Sequence, residues 1–202
     1  MQKEEITMKI EEMRQLMYRG RRSGINSGTA LIVWGVIALI AIEVSPLFLK
    51  KGWFRSAEKA VLVLAVFYLL LFSAGIAIDH VLTKRKVEEL GEMLDYTSRQ
   101  IGKMWAFLPL FGGYLTVVLA LYGAYSYIYP VWMMLVGAGM YFTGAFSLRY
   151  YEWYGLLLMI AGIASSLIPE GYGYQAAKLS AEIFLGAGLI VSGIYVKRRY
   201  GW

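Results

Sequence analysis

Residues 131–146 read VWMMLVGAGMYFTGAF, and residues 180–195 read SAEIFLGAGLIVSGIY. Laid over one another 49 positions apart, Gly137-Ala138-Gly139 fall on Gly186-Ala187-Gly188 and Thr143-Gly144 on Ser192-Gly193. Runs this apolar approach the ~17–20 residues needed to cross a bilayer. Lipid offers no partner to exposed backbone groups, so such segments are helices or a closed barrel. Neither stretch alternates with period 2, which excludes the barrel. The same spacing carries outward, setting Gly113 on Gly162, Thr116 on Ser165, Arg149 on Arg198 and Tyr151 on Tyr200. Two copies of one helical hairpin are therefore expected. A fainter third copy places Ser73-Ala74-Gly75 at the Gly-Ala-Gly and Asp79 at Thr143.

The whole chain agrees with that reading. Its 202 residues are 58% hydrophobic and 17% charged, whereas soluble domains average ~45–50% and ~25%. Six apolar stretches, at about 28–44, 60–81, 104–129, 131–146, 154–168 and 181–196, predict six transmembrane helices. The expected fold is an all-α polytopic membrane protein of three helical hairpins, with two cytoplasmic amphipathic helices added. In this division residues 1–27 form an N-terminal cytoplasmic helix and residues 28–202 the transmembrane domain. A cytoplasmic helical connector is expected at about 82–103. The absence of cysteine excludes disulfides and thiolate chemistry. One Asn and four Gln beside abundant Lys and Glu follow a hyperthermophile pattern.

Glycines recur seven residues apart, as Gly28/Gly35, Gly137/Gly144, Gly155/Gly162 and Gly186/Gly193, and helix 3 carries Ala106, Gly113 and Ala120. Within lipid, close approach over small residues is a main source of helix cohesion. These glycines, together with Gly139 and Gly188, are expected to be helix-packing positions.

The net charge of +6 is unevenly spread. If alternate loops share a side, one face has Lys3, Lys9, Arg14, Arg19, Arg21, Arg22, Lys84, Arg85, Lys86, Arg99, Lys103, Arg149, Lys197, Arg198 and Arg199. The other has Lys50, Lys51, Arg55, Lys59 and Lys178. The positive-inside rule puts both termini in the cytoplasm of a multi-pass cell-membrane protein. The basic excess then meets anionic lipid head groups, and nucleic acid is not an expected partner. Tyr122, Tyr125, Tyr127, Tyr129 and Trp132 are expected as an outer aromatic belt, with Trp105, Tyr150, Tyr151, Trp153, Tyr154, Tyr200 and Trp202 in the inner one.

Ile6, Ile10, Met13 and Met17 form an apolar stripe on an otherwise charged segment, and Val87, Leu90, Leu94 and Ile101 form a second. Residues 9–13 also align 77 positions ahead of 86–90, an offset that pairs Gly35 with Gly112. Such helices can lie on the membrane, pair to make a homo-oligomer, or hold a membrane-protein partner.

Ionisable residues inside spans are functional candidates by default. Glu43, Asp79, His80 and Glu182 qualify, although each falls near a membrane boundary and the midplane carries only hydroxyls such as Ser73, Thr116, Thr143 and Ser165. Asp79-His80 could sense pH or contribute to a metal site, but adjacent helical residues point about 100° apart. Pro109 is expected to kink helix 3, and residues 171–174 to form a short outer loop. No catalytic residue, cofactor or metal site is predicted.

The run WYGLLLMIAGIASSLIP…FLGAGLIVSGIYVKRR, at 153–169 and 184–199, resembles the hairpin repeats of HdeD-like six-helix membrane proteins. No function or site is carried over from that resemblance. The expected function is a non-enzymatic accessory, scaffold or stress-response subunit that self-associates or binds a partner through its cytoplasmic helices. The alternative is a small transporter or channel for a neutral or lipophilic solute. A closed bundle favours the first, and a polar cavity among helices 3–6 the second.

Overall fold

The computed structural model describes residues 28–49, 57–90 and 96–200. Among them the chain is all helical, with α1 (Gly28–Leu49), α2 (Ala57–Leu90), α3 (Tyr96–Leu121), α4 (Ile128–Phe146) and α5 (Arg149–Ser166). A final rod follows, made of α6 (Glu170–Ala181), a π-helical turn (Glu182–Ala187) and α7 (Gly188–Tyr200). Each helix packs on the next in sequence, and the rod returns to α1.

Five stretches are long and apolar enough to cross a membrane, namely Gly28–Phe48, Val61–Leu82, Gln100–Leu121, Tyr125–Phe146 and Tyr172–Arg199. By length and composition this is a helical membrane protein. The sixth expected span, at 154–168, is a helix of 18 residues whose first turn contains Arg149, Tyr150, Tyr151 and Glu152. Those residues leave α5 with too short an apolar run to join the five. It nevertheless has the most extensive contact of any helix pair, against α4.

Three expected boundaries move. The third span does not run to 129. Gly123, at φ 73°, adopts the left-handed conformation that ends a helix, and the amides of Gly123 and Ala124 bond back to the carbonyls of Ala120 and Leu119. A 3-10 turn at Tyr125–Tyr127 then leads into α4. Residues 171–174 are helical rather than a loop, since Pro169 caps α6 and its carbonyl accepts the amides of Tyr172 and Gly173. The connector at 82–103 divides between the ends of two long helices, because α2 continues to Leu90 and α3 begins at Tyr96. Residues 1–27 and 91–95 lie outside the described residues, and with them the first apolar stripe and Leu94 of the second.

The four glycine pairs meet as two seams. In the first, a methyl group on Gly137 would stand 2.7 Å from the Gly155 carbonyl oxygen, and one on Gly162 would stand 2.9 Å from that of Pro130. Gly144 abuts the Glu152 backbone in the same way, and Gly155 that of Tyr141. In the second seam Gly35 faces the Gly186 carbonyl, Gly186 faces Leu39, and Gly193 faces Gly28 and Ile32. All eight glycines are buried. Both seams are antiparallel, so the segment around 28–34 shares an end of the bundle with 192–193. Gly35 packs on the rod, whereas Gly112, 77 positions further on, packs under Trp132 of the neighbouring helix α4.

Candidate functional site

Indole and phenol groups reach across the helix pairs α1–α2 and α3–α4 onto small polar side chains. Between α3 and α4 the exchange is reciprocal. Trp105 Nε1 donates to Thr143 Oγ1 at 2.9 Å, and Trp132 Nε1 donates to Thr116 Oγ1 at 2.8 Å. Each threonine passes its own proton to a glycine carbonyl one turn back, Gly112 for Thr116 and Gly139 for Thr143, both at 2.8 Å. That glycine in turn seats the facing ring, Trp132 over Gly112 and Trp105 over Gly139.

The spacing repeats. An aromatic residue, a small residue seven positions on and a polar one four further occur as Trp105/Gly112/Thr116 and Trp132/Gly139/Thr143. They recur as Trp34/Ala41/Ser45 in α1 and Tyr68/Gly75/Asp79 in α2. There Ser45 gives its proton to the Ala41 carbonyl, so Tyr68 is the donor in the 2.8 Å bond between Tyr68 and Ser45. Trp34 donates to Asp79, and its ring lies against Gly75. In α5 the set is Tyr154/Ala161/Ser165, and in the rod Ala181/Gly188/Ser192. Here the contact is displaced by one turn: Ser192 shares a 2.8 Å bond with Tyr150, while Tyr154 donates to the Phe184 carbonyl within the π turn. A side chain inserted into the helical ladder is a recognised cause of such a turn. Gly139 lies against Leu108 and Trp105 of α3, and Gly188 against the Tyr154 hydroxyl of α5, both away from the two seams.

Asp79 therefore stands in α2 where α4 has Thr143 and the rod has Ser192. His80, the next residue, is exposed, so the two do not face a common ligand. Asp79→Thr should preserve the bond from Trp34 and leave the melting temperature in detergent unchanged. Asp79→Leu should cost about 1 kcal/mol, the usual size of such a bond between membrane helices. Equal losses in both variants would show that the carboxylate does something a hydroxyl cannot.

Glu43 and Glu182 are brought together at the opposite end. Lys178 Nζ lies 3.0 Å from Glu43 Oε2 and 3.3 Å from Glu182 Oε1, tying α1 to α6 and the π turn. The sequence marks both carboxylates as candidates, while Lys178 stands out in it only as one more charge. Deeper in the bundle, Ser45, Leu64, Tyr68, Thr116, Tyr125, Ile128, Tyr129 and Tyr174 line a small cavity. Tyr129 donates toward the Ile42 carbonyl at 3.4 Å and lies 3.3 Å from the Tyr174 hydroxyl. The cavity volume of about 10 Å3 is room for a single water.

Several expected belt residues line this interior instead. Tyr129, Trp132, Tyr151 and Tyr154 are buried, while Tyr122, Tyr127 and Trp153 remain exposed. Amphipathic rings suit an interface, but a hydroxyl one helix away satisfies the same polar tip inside the bundle. The signal that separates the two cases is the small residue at +7 and the polar one at +11. Among the described residues, no three His, Asp or Glu side chains gather closely enough to hold a metal ion. No protein-family model, no curated protein and no solved structure matches this chain.

Proposed function

We propose that this is a non-enzymatic integral membrane protein of the cell membrane, an accessory or scaffold subunit. In this reading α1 to α5 and the rod cross the bilayer as three hairpins, with both termini in the cytoplasm. The recurrence of one aromatic-to-hydroxyl spacing through all three hairpins supports that arrangement. Orientation rests on the basic residues. Antiparallel packing gathers Lys84, Arg85, Arg149 and Lys197–Arg199 toward one end, which becomes the cytoplasmic face with its anionic lipids. α5 reaches far enough because its exposed Trp153 can sit at head-group depth.

The observation that carries the reading is the filled interior. Two seams close to backbone contact, and the hydroxyl-lined cavity has room for one water. A bundle with its interior filled in this way leaves recognition to its surfaces. Self-association or partner binding through residues 1–27 and 82–103 follows. Deleting residues 1–20 should shrink the particle measured by light scattering in detergent, or remove a partner co-purified from native membrane. An unchanged particle with an unchanged partner set would sink the proposal.

A second reading takes the cavity as part of a path for a neutral solute, favoured by its six hydroxyl-bearing side chains and lack of charge. Proteoliposomes challenged with glycerol should then swell faster than empty vesicles. Identical swelling would remove this reading and leave the first untouched.

A further inference from the structure

The three contacts between successive hairpins differ in closeness, and one residue position grades them. α4 against α5 is the most extensive, the rod against α1 comes next, and α2 against α3 is the slightest. The place held by Trp132 in α4 is held by Tyr68 in α2 and by Ala181 in the rod, at offsets of 64 and 49. Trp132 stands between α2 and α3. Its ring stacks on Phe72 at 5.1 Å and on Tyr68 at 6.3 Å, and its other side meets Gly112 and Thr116. Tyr68 reaches Ser45 of α1 and shares the cavity lining with Tyr174 of the rod. Ala181 is completely buried in α6, which packs on both α4 and α5. Indole, phenol and methyl thus accompany an open, a closed and the closest contact respectively. A ring wedged between two helices keeps their backbones apart, and a methyl group does not.

The α2–α3 face has the residues of a seam without its closure. By the same offsets Ser73 and His80 take the places of Gly137 and Gly144, and Ala106 and Gly113 those of Gly155 and Gly162. Ser73, His80 and Ala106 are exposed, and a methyl group at Gly113 would meet nothing within 4 Å. Their eight counterparts in and around the other seams are buried.

We propose that α2 and α3 form a lateral gate, a third seam propped open by Trp132, whose closure sets Ser73 against Ala106 and Leu70 against Gly113. These pairs are the counterparts of Gly137 against Gly155 and Met134 against Gly162 in the closed seam. Tyr68 and Thr116 are the direct neighbours of the indole and both line the cavity. A swing of Trp132 that closes the gate therefore frees one wall of that cavity.

The chain contains no cysteine, so paired cysteines can be introduced without background. In native membrane vesicles under mild oxidation, Ser73→Cys with Ala106→Cys should lose maleimide reactivity by forming a disulfide within one chain. Such a bond needs Cα atoms roughly 4.4–6.8 Å apart, the spacing a closed seam provides. Trimming the prop with Trp132→Phe should make the bond form severalfold faster. Should that double-cysteine protein fail to accumulate, Leu70→Cys with Gly113→Cys makes the same measurement deeper in the face. Thiols that stay reactive in both pairs, a disulfide joining two chains, or a rate indifferent to Trp132→Phe would each overturn the gate.

Discussion

Gly155→Ala should lower the melting temperature in detergent by roughly 6–12 °C, taking about 3 kcal/mol for overpacking and ~2–4 °C per kcal/mol for a chain of this size. A single methyl group has so large an effect because of what it would meet. The Cβ would press on the backbone nitrogen and Cα of Tyr141 and on the Gly137 carbonyl. Backbone in the middle of a helix cannot turn aside as a flexible side chain would. Relief requires α4 and α5 to separate, which loosens the most extensive helix contact in the molecule. Gly113→Ala supplies the control, since the same methyl there meets nothing and slightly favours helix over glycine. Scanning calorimetry or a fluorescence melt of the two variants side by side checks the claim. Equal melting temperatures would mean that α4 and α5 are not joined over these glycines.

Ala181→Trp should be at least as damaging, for a different reason. Ala181 is completely buried and occupies the position at which α4 carries Trp132. An indole there has no pocket and must force neighbouring helices apart, at a cost of about 3 kcal/mol or more. The expected result is a protein that accumulates poorly or melts well below the parent, while Ala181→Ser stays close to it. A fully stable Ala181→Trp would break the link between residue size and seam closeness. That outcome would count against the gate as well.

How far the sequence foretold this molecule depends on whether neighbours in space are neighbours in the chain. The glycine pairs could be read because a seven-residue recurrence of small residues in lipid has few other uses. That Gly137/Gly144 would meet Gly155/Gly162 was accessible too, since a two-residue connection joins those helices. The meeting of Gly28/Gly35 with Gly186/Gly193 was not, because it depends on ring closure between the first and last helices. Trp132 and Tyr129 were assigned to a membrane belt, as residue type alone does not say whether a polar ring tip finds water or a hydroxyl. Among the candidate charges, Glu43 and Glu182 were visible singly, yet their union through Lys178 spans 135 positions of chain. The repeat aligns Asp79 with Thr143, while its indole partner cannot be read from that alignment.

The π turn at Glu182–Ala187 gives the rod a property that an uninterrupted helix lacks. It inserts one residue into a single turn, so everything before it is rotated about 100° relative to everything after. Chain length at this point is therefore also an angle. Upstream of the turn the rod presents Lys178 to Glu43, and downstream it presents Gly193 to Gly28. A lineage that lost one of residues 183–185 would keep Gly186 and Gly193 in their seam and swing its lysine out of the carboxylate pair. Ion pairing and helix packing on this rod can thus change independently, by insertion or deletion rather than by substitution.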